Sequence, residues 1–152
     1  MAEPLLRATS LHRAYRARGG GAGRIAAVDG VDLALERGGS LGVVGESGAG
    51  KSTLARLLLA LERPDSGAVH FDGQQISSMR AARLRPLRRR FQAVFQDPLG
   101  SLDPRLSVGR SVAEPLVAFA IGSAAERRRR VAELLAVVGL PEDAARRHPG
   151  AF

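Results

Sequence analysis

Along the first hundred residues the spacing of apolar positions changes repeatedly, and each change marks an element. In "PLLRATSLHRAY", residues 4–15, apolar and polar side chains mix without a clean repeat, which predicts one or two short strands. "VDLALE" alternates Val31, Leu33 and Leu35 with polar or small neighbours, the period of a half-buried strand. After the turn "RGG" comes "SLGVVG", a short continuous apolar run of the kind found in buried parallel strands. Leu54, Leu57, Leu58 and Leu61 then recur at helical spacing, and "RPDSG" ends that helix and turns the chain. "AVHFDG" predicts a further strand. Residues 79–90, "MRAARLRPLRRR", predict a helix interrupted by Pro86, and "FQAVFQ" alternates as a strand.

Beyond that point the character changes. "DPLGSLDPRLSVG" is a loop with two Asp-Pro steps, followed by the helical stretches "SVAEPLVAFA" and "SAAERRRRVAELLAVVGL". Ser123 is placed to cap the second of these, with Glu126 in its first turn. "RARGGGAGR" earlier in the chain reads as a glycine-rich loop. The expectation is an α/β chain to about residue 96 and a helical one from about 105, without internal repeats.

A length of 152 residues allows one ordinary domain with a real core. The longest apolar stretches, "LVAFAIG" and "LLLAL", fall far short of the ~20 residues of a membrane span. The start "MAEPLLRATS" lacks the pattern of a secretory leader. Cysteine is absent, which removes disulfides and thiolate sites and fits a reducing compartment. The net charge is +8, but of 23 basic residues 22 are arginine and one is lysine, Lys51. The single lysine falls inside a glycine loop, which points to a need for an ammonium group at that position.

That loop is Gly45-Glu46-Ser47-Gly48-Ala49-Gly50-Lys51-Ser52, and it satisfies G-x-x-x-x-G-K-[ST] at every constrained position, between an apolar run and a helix. Glycines let the backbone close around a polyphosphate so that successive N–H groups meet its oxygens. The following helix directs its positive end at the same charge. Lys51 would reach the β- and γ-phosphates, Ser52 would hold Mg²⁺, and Thr53 lies close enough to contact the α-phosphate. The loop by itself leaves open which nucleotide is bound and for what work.

Longer stretches narrow the choice. "AVDGVDLALERGGSLGVVGESGAGKSTLARLLLALERPDSGAVHFDG" resembles the opening of an ATP-binding cassette (ABC) transporter ATPase subunit, with a P-loop NTPase core of α/β class. "VFQDPLGSLDPRLSVGRSVAEPL" is similar to the subgroup serving oligopeptide, dipeptide and nickel importers. The resemblance implies that residues 1–96 are the N-terminal part of the ATPase core. Residues 97–152 would be the exit of the Gln loop and the first part of the helical subdomain. It implies that Tyr15 stacks on adenine, the alternative being a strand tyrosine with its hydroxyl in water. It implies that Gln96 touches Mg²⁺ or the attacking water through its amide oxygen, while its loop joins the core to the helical part. ATP and Mg²⁺ are the implied cofactors. The implied partners are membrane permease subunits, a second ATPase subunit in a homo- or heterodimer and, indirectly, an extracytoplasmic binding protein. The implied location is the cytoplasmic face of the plasma membrane, as a peripheral subunit. Peptide and nickel remain equally open as cargo.

Other parts of the family pattern do not match any residue here. Glu62, Asp72 and Glu36 are the acids that end apolar runs, and none occupies the place of the Mg²⁺-holding aspartate and water-polarising glutamate. The Ser-Gly-Gly signature and the γ-phosphate-sensing histidine are also missing, and "RRHPGAF" is the kind of segment that precedes the signature in relatives. The expectation is therefore an N-terminal portion of a longer ATPase, inactive in hydrolysis alone and marginal or aggregating as an isolated chain. Two other readings are a soluble DNA-associated ABC ATPase and a nucleotide-binding remnant without turnover. The first would use Arg80, Arg83, Arg85, Arg88, Arg89 and Arg90, a cluster that lacks stacking aromatics, which argues against nucleic acid. Arg127 to Arg130 lie between Glu126 and Glu133, where pairing along a solvated helix accounts for them. His12, His70 and His148 have no partner at metal-ligand spacing.

Overall fold

The computed structural model describes residues 3–17, 23–96 and 100–152. The chain divides into two compact units, Met1–Ala93 and Val94–Phe152. Most of the glycine-rich loop and the first Asp-Pro step, expected from the sequence, lie outside the described residues.

The first unit is an antiparallel sheet with two helices. Its strands are β1 (Leu6–Arg16), β2 (Arg24–Leu35), β3 (Ser66–Phe71) and β4 (Gln74–Gln75), in the order β2-β1-β3-β4. On β1, Leu6 pairs with Leu35 of β2 and Phe71 of β3, and near its far end Tyr15 pairs with Ile25. The mixed pattern of β1 has a local cause. Ser10 takes φ 45° and bulges, so Ala8 and Leu11, three apart, both face the core. Gly67 on β3 fits against this bulge: at φ +87°, a Cβ there would meet the Ser10 carbonyl oxygen at 2.2 Å. Asp72 and Gly73, both at positive φ, form the two-residue turn that joins β3 to β4.

Helix α1 (Lys51–Leu58) follows the glycine loop and buries Leu54 and Leu57 among Ala8, Leu11, Val28 and Val69. Leu58 is half-buried, but Leu61 is exposed. The helix has already ended there, with Ala60 at φ 48° and the Leu61 N–H bonded to the Arg56 carbonyl. Helix α2 (Ala81–Leu87) contains Pro86, which has no N–H to give to the preceding turn, and it stops one residue later. Leu84 is its core contact, and Phe91 beyond it packs edge-on against Phe71.

Two runs expected as strands are not strands. Residues 40–45 and 91–96 pair with no strand among the described residues. The apolar pattern is right for burial, but a strand exists only where a neighbour accepts its N–H and C=O groups. As a result Val44 is 95% exposed and Val94 100%.

The second unit is helical: α3 (Val108–Ala118), α4 (Ala124–Val137) and the 3₁₀ turns Glu142–Arg146 and Pro149–Ala151. Ser107 caps α3 by accepting from the Arg110 N–H. Ser123 caps α4 as expected, and reciprocally, since its own N–H donates to Glu126 at 2.7 Å. That use of Glu126 leaves Glu133 to pair with Arg129 and Arg130. Val108, Val131 and Leu135 form the core, against which Val112, Ala113, Leu140 and Ala145 pack. α3 and α4 end as α1 does: Ala120 (φ 53°) and Gly139 (φ 75°) reverse the chain with paired N–H···O=C bonds to the last turn.

Candidate functional site

The glycine loop occupies residues 45–50, between the unpaired apolar run and α1, and its residues from Gly45 to Ala49 are exposed. A turn closes it, the Ala49 N–H donating to the Glu46 carbonyl at 3.2 Å. Gly50 is the N-cap of α1 at φ 85°, and its carbonyl accepts the first helical bond, from Leu54 N–H at 2.8 Å. No other residue fits at position 50. A Cβ there would fall 1.8 Å from the carbonyl oxygen of Ala27 on β2, so a left-handed backbone and a close approach both require glycine. This contact pins the loop to the β1–β2 ribbon.

Lys51 folds its side chain back over the loop. Its Nζ donates to the carbonyl oxygens of Gly45 and Glu46, each at 2.6 Å. The cation is thus held by carbonyls of the loop that leads into the N–H groups opening α1. No acidic residue lies in the first turn of the helix to compete for them. Next to it Ser52 is exposed, whereas Thr53 is 7% exposed and shares the inner face with Leu54 and Leu57. Two positive elements, an open hydroxyl and glycines at Gly48 and Gly50 in conformations that side chains resist suit a polyphosphate with its cation.

Tyr15 lies on β1, one residue from Ala14, which pairs with Ala26 beside the Ala27 that meets Gly50. Its hydroxyl is not left to water. It donates to the Glu62 carboxylate, with both oxygens within 2.9 Å, and the Arg13 guanidinium lies over its ring, 5.0 Å from the centroid. Arg13 also bonds Glu62 and Asp65, and Asp65 accepts from the Ala14 N–H and from Arg24. The Ala14 N–H, and then Arg24 and Arg13, hold the Asp65 carboxyl below its ordinary range. Sequence reading weighed Glu62 only as a hydrolytic acid and passed over Asp65. The available signal was an acid pair at the exit of the loop helix, facing Arg13 on β1 and Arg24 on β2.

Asp72, set aside on sequence as a metal-holding acid, is occupied otherwise. Arg90 and Arg37 both engage its carboxylate and hold it below the ordinary range. Gln96 belongs to the second unit, at an exposed bend. Among the described residues no cluster of three metal-ligating side chains occurs, and no helix is long and apolar enough to cross a membrane.

Comparison with known proteins agrees with this geometry. The family model described as ABC transporter matches residues 28–151. The glutathione import ATP-binding protein GsiA of Pectobacterium atrosepticum is 44% identical over 99% of this chain, which spans 25% of that protein. The oligopeptide transport ATP-binding protein OppD of Mycobacterium bovis is 48% identical over 86% of the chain, which spans 21% of it. Among solved structures, the dimeric ATP-binding cassette MJ0796 in a post-hydrolysis state, bound to ADP and Pi, superposes with a TM-score of 0.80. It is 28% identical, covering 97% of this chain and 62% of that one. The fold is that of the ABC ATPases, a P-loop NTPase fold, and the relatives are peptide and glutathione import subunits. By its family model, its relatives and its fold, the chain belongs to the ABC transporter ATPase family.

Proposed function

We propose that the chain is the nucleotide-binding portion of an importer ATPase that couples MgATP binding and hydrolysis to uptake of peptides or a similar cargo. One observation carries this reading: the Lys51 ammonium held by two carbonyls of the glycine loop that leads into α1. A triphosphate offers better acceptors than those carbonyls, and the ammonium reaches its β- and γ-oxygens by swinging out of the loop. Gly45, Glu46, Ser47, Gly48, Ala49 and Gly50 would supply backbone N–H groups, and Thr53 the inner side of the cradle. Ser52 and Gln96 would hold Mg²⁺, which when bound neutralises charge on the phosphates. Tyr15 would offer a face to adenine. Residues 1–96 then form part of the ATPase core, and 97–152 the Gln-loop exit and the start of the helical subdomain. The subunit would close head-to-tail with a second ATPase subunit and act on a permease from the cytoplasmic face of the membrane.

The acids that follow strands are Glu36 after β2 and Asp72 after β3, and neither occupies the place of the family's water-polarising glutamate, Asp72 being held by Arg90 and Arg37, so the 152 residues would bind nucleotide without turning it over. Titration of the chain with MgATP tests both parts. Binding is expected, weakened about ten- to a hundredfold by Lys51→Ala, as for loss of a hydrogen bond to a charged group. Phosphate release should stay at background. Unaltered binding by Lys51→Ala, or turnover that the substitution abolishes, would each overturn the corresponding half.

A further inference from the structure

We infer that Glu62 and Arg13 are positioning residues that set Tyr15 for the nucleotide base, which rests on the reading of Tyr15 as the adenine platform. The geometry is that of a clamp. Arg13 and Tyr15 stand two apart on β1, so their side chains leave the same face of the strand. The Tyr15 hydroxyl lies 2.9 and 2.8 Å from the two Glu62 oxygens. Arg13 donates from Nε, at 2.8 Å, to one of those oxygens and approaches it at 2.7 Å through Nη2, while its guanidinium covers one ring face. The Arg13 and Glu62 side chains are only 26% and 21% exposed, which limits competition from water.

The clamp is itself anchored at both ends. The Glu62 N–H bonds the Arg56 carbonyl at the close of α1, and Asp65, three residues on, takes the Ala14 N–H and Arg13 Nη1. Glu62 thus fixes Tyr15 to the trailing end of the same helix whose leading end carries Lys51 and Ser52. One short helix would then index the base contact against the phosphate contacts. With one face under Arg13, the ring offers its other face to a base. Because its hydroxyl is tethered, little rotamer freedom is left to lose when a base stacks there.

The chain contains one tyrosine and no tryptophan, so emission excited to the red of phenylalanine absorption reports Tyr15 alone. A carboxylate that accepts from an excited phenol quenches it. In the nucleotide-free chain, Glu62→Ala is expected to brighten the emission, and unchanged emission would overturn the clamp. Calorimetric titrations with ATP and with inorganic tripolyphosphate complete the test. Glu62→Ala should weaken ATP up to about tenfold, within the range of a lost stacking platform, and leave tripolyphosphate unchanged. Glu62→Gln, which keeps an acceptor for the phenol, should recover part of the loss. The Tyr15→Ala/Glu62→Ala double variant should bind ATP no more weakly than Tyr15→Ala. A further loss in the double variant, or an equal loss for both ligands in Glu62→Ala and Glu62→Gln, would refute a role exerted through Tyr15. If Tyr15→Ala weakens ATP and Glu62→Ala does not, the positioning role alone falls. If Tyr15→Ala leaves ATP affinity intact, the adenine reading falls and the positioning role with it.

Discussion

Ala60, Ala120 and Gly139 do the same work at the ends of α1, α3 and α4, but only one of them is a glycine. Each sits in the left-handed region, where a Cβ crowds the neighbouring carbonyl at a cost of roughly 1–2 kcal/mol. Ala60→Gly and Ala120→Gly are therefore each expected to raise the unfolding free energy by about 1 kcal/mol, after allowing for the extra freedom of glycine in the unfolded chain. Gly139→Ala should lower it by a similar amount, and chemical denaturation of the three variants measures all of this. The same scale explains what was readable. Gly50 announced itself, because a motif demands it and no other residue fits beside Ala27. The reversals at Ala60 and Ala120 did not, since alanine favours helix and nothing local signals a stop. The leucine pattern hence ran one turn too far, to Leu61.

Among the elements, the β1–β2 ribbon and the turn at residues 62–65 are joined by charge as much as by apolar contact. Asp65 takes the Ala14 N–H, Arg24 and Arg13 and is held below its ordinary range. A carboxylate lower in the folded chain than in the unfolded one stabilises the fold at any pH above the unfolded value, about 3.9 for aspartate. That contribution is lost as pH falls through the folded value. Asp65→Asn should thus lower the thermal midpoint at neutral pH and flatten its decline below about pH 4. An unaltered acid profile would mean the carboxylate adds nothing. Strand and helix periods were legible wherever the partner lies in the chain itself, as for Val31, Leu33 and Leu35 on β2. Leu41, Val43 and Val44, and likewise Val94 and Phe95, carried an equally clear pattern, yet they have no strand to pair with among the described residues. A pattern records what a segment can bury, and pairing depends on what it meets.

For the molecule as a whole, these exposed runs set the behaviour in solution. Leu41, Val43 and Val44 in one unit and Val94 and Phe95 in the other present aliphatic and aromatic surface beside unpaired backbone, the conditions for edge-to-edge association. The isolated chain is expected to sediment as multimers despite its charge of +8. Val44→Ser with Val94→Ser should shift it towards monomer without altering its circular dichroism; multimers unchanged by the pair would put the association elsewhere. The family was legible from long motifs, while the acid that grips Tyr15 was not, because Glu62 lies about fifty positions away from it in a turn of ordinary composition. The lone lysine has one more consequence. Apart from the α-amine of Met1, Lys51 is the only primary amine in the chain, so an acylating reagent becomes a footprint of a single loop. Whatever shields that nitrogen, whether the carbonyls of Gly45 and Glu46 or a bound triphosphate, is written into one mass increment on one peptide.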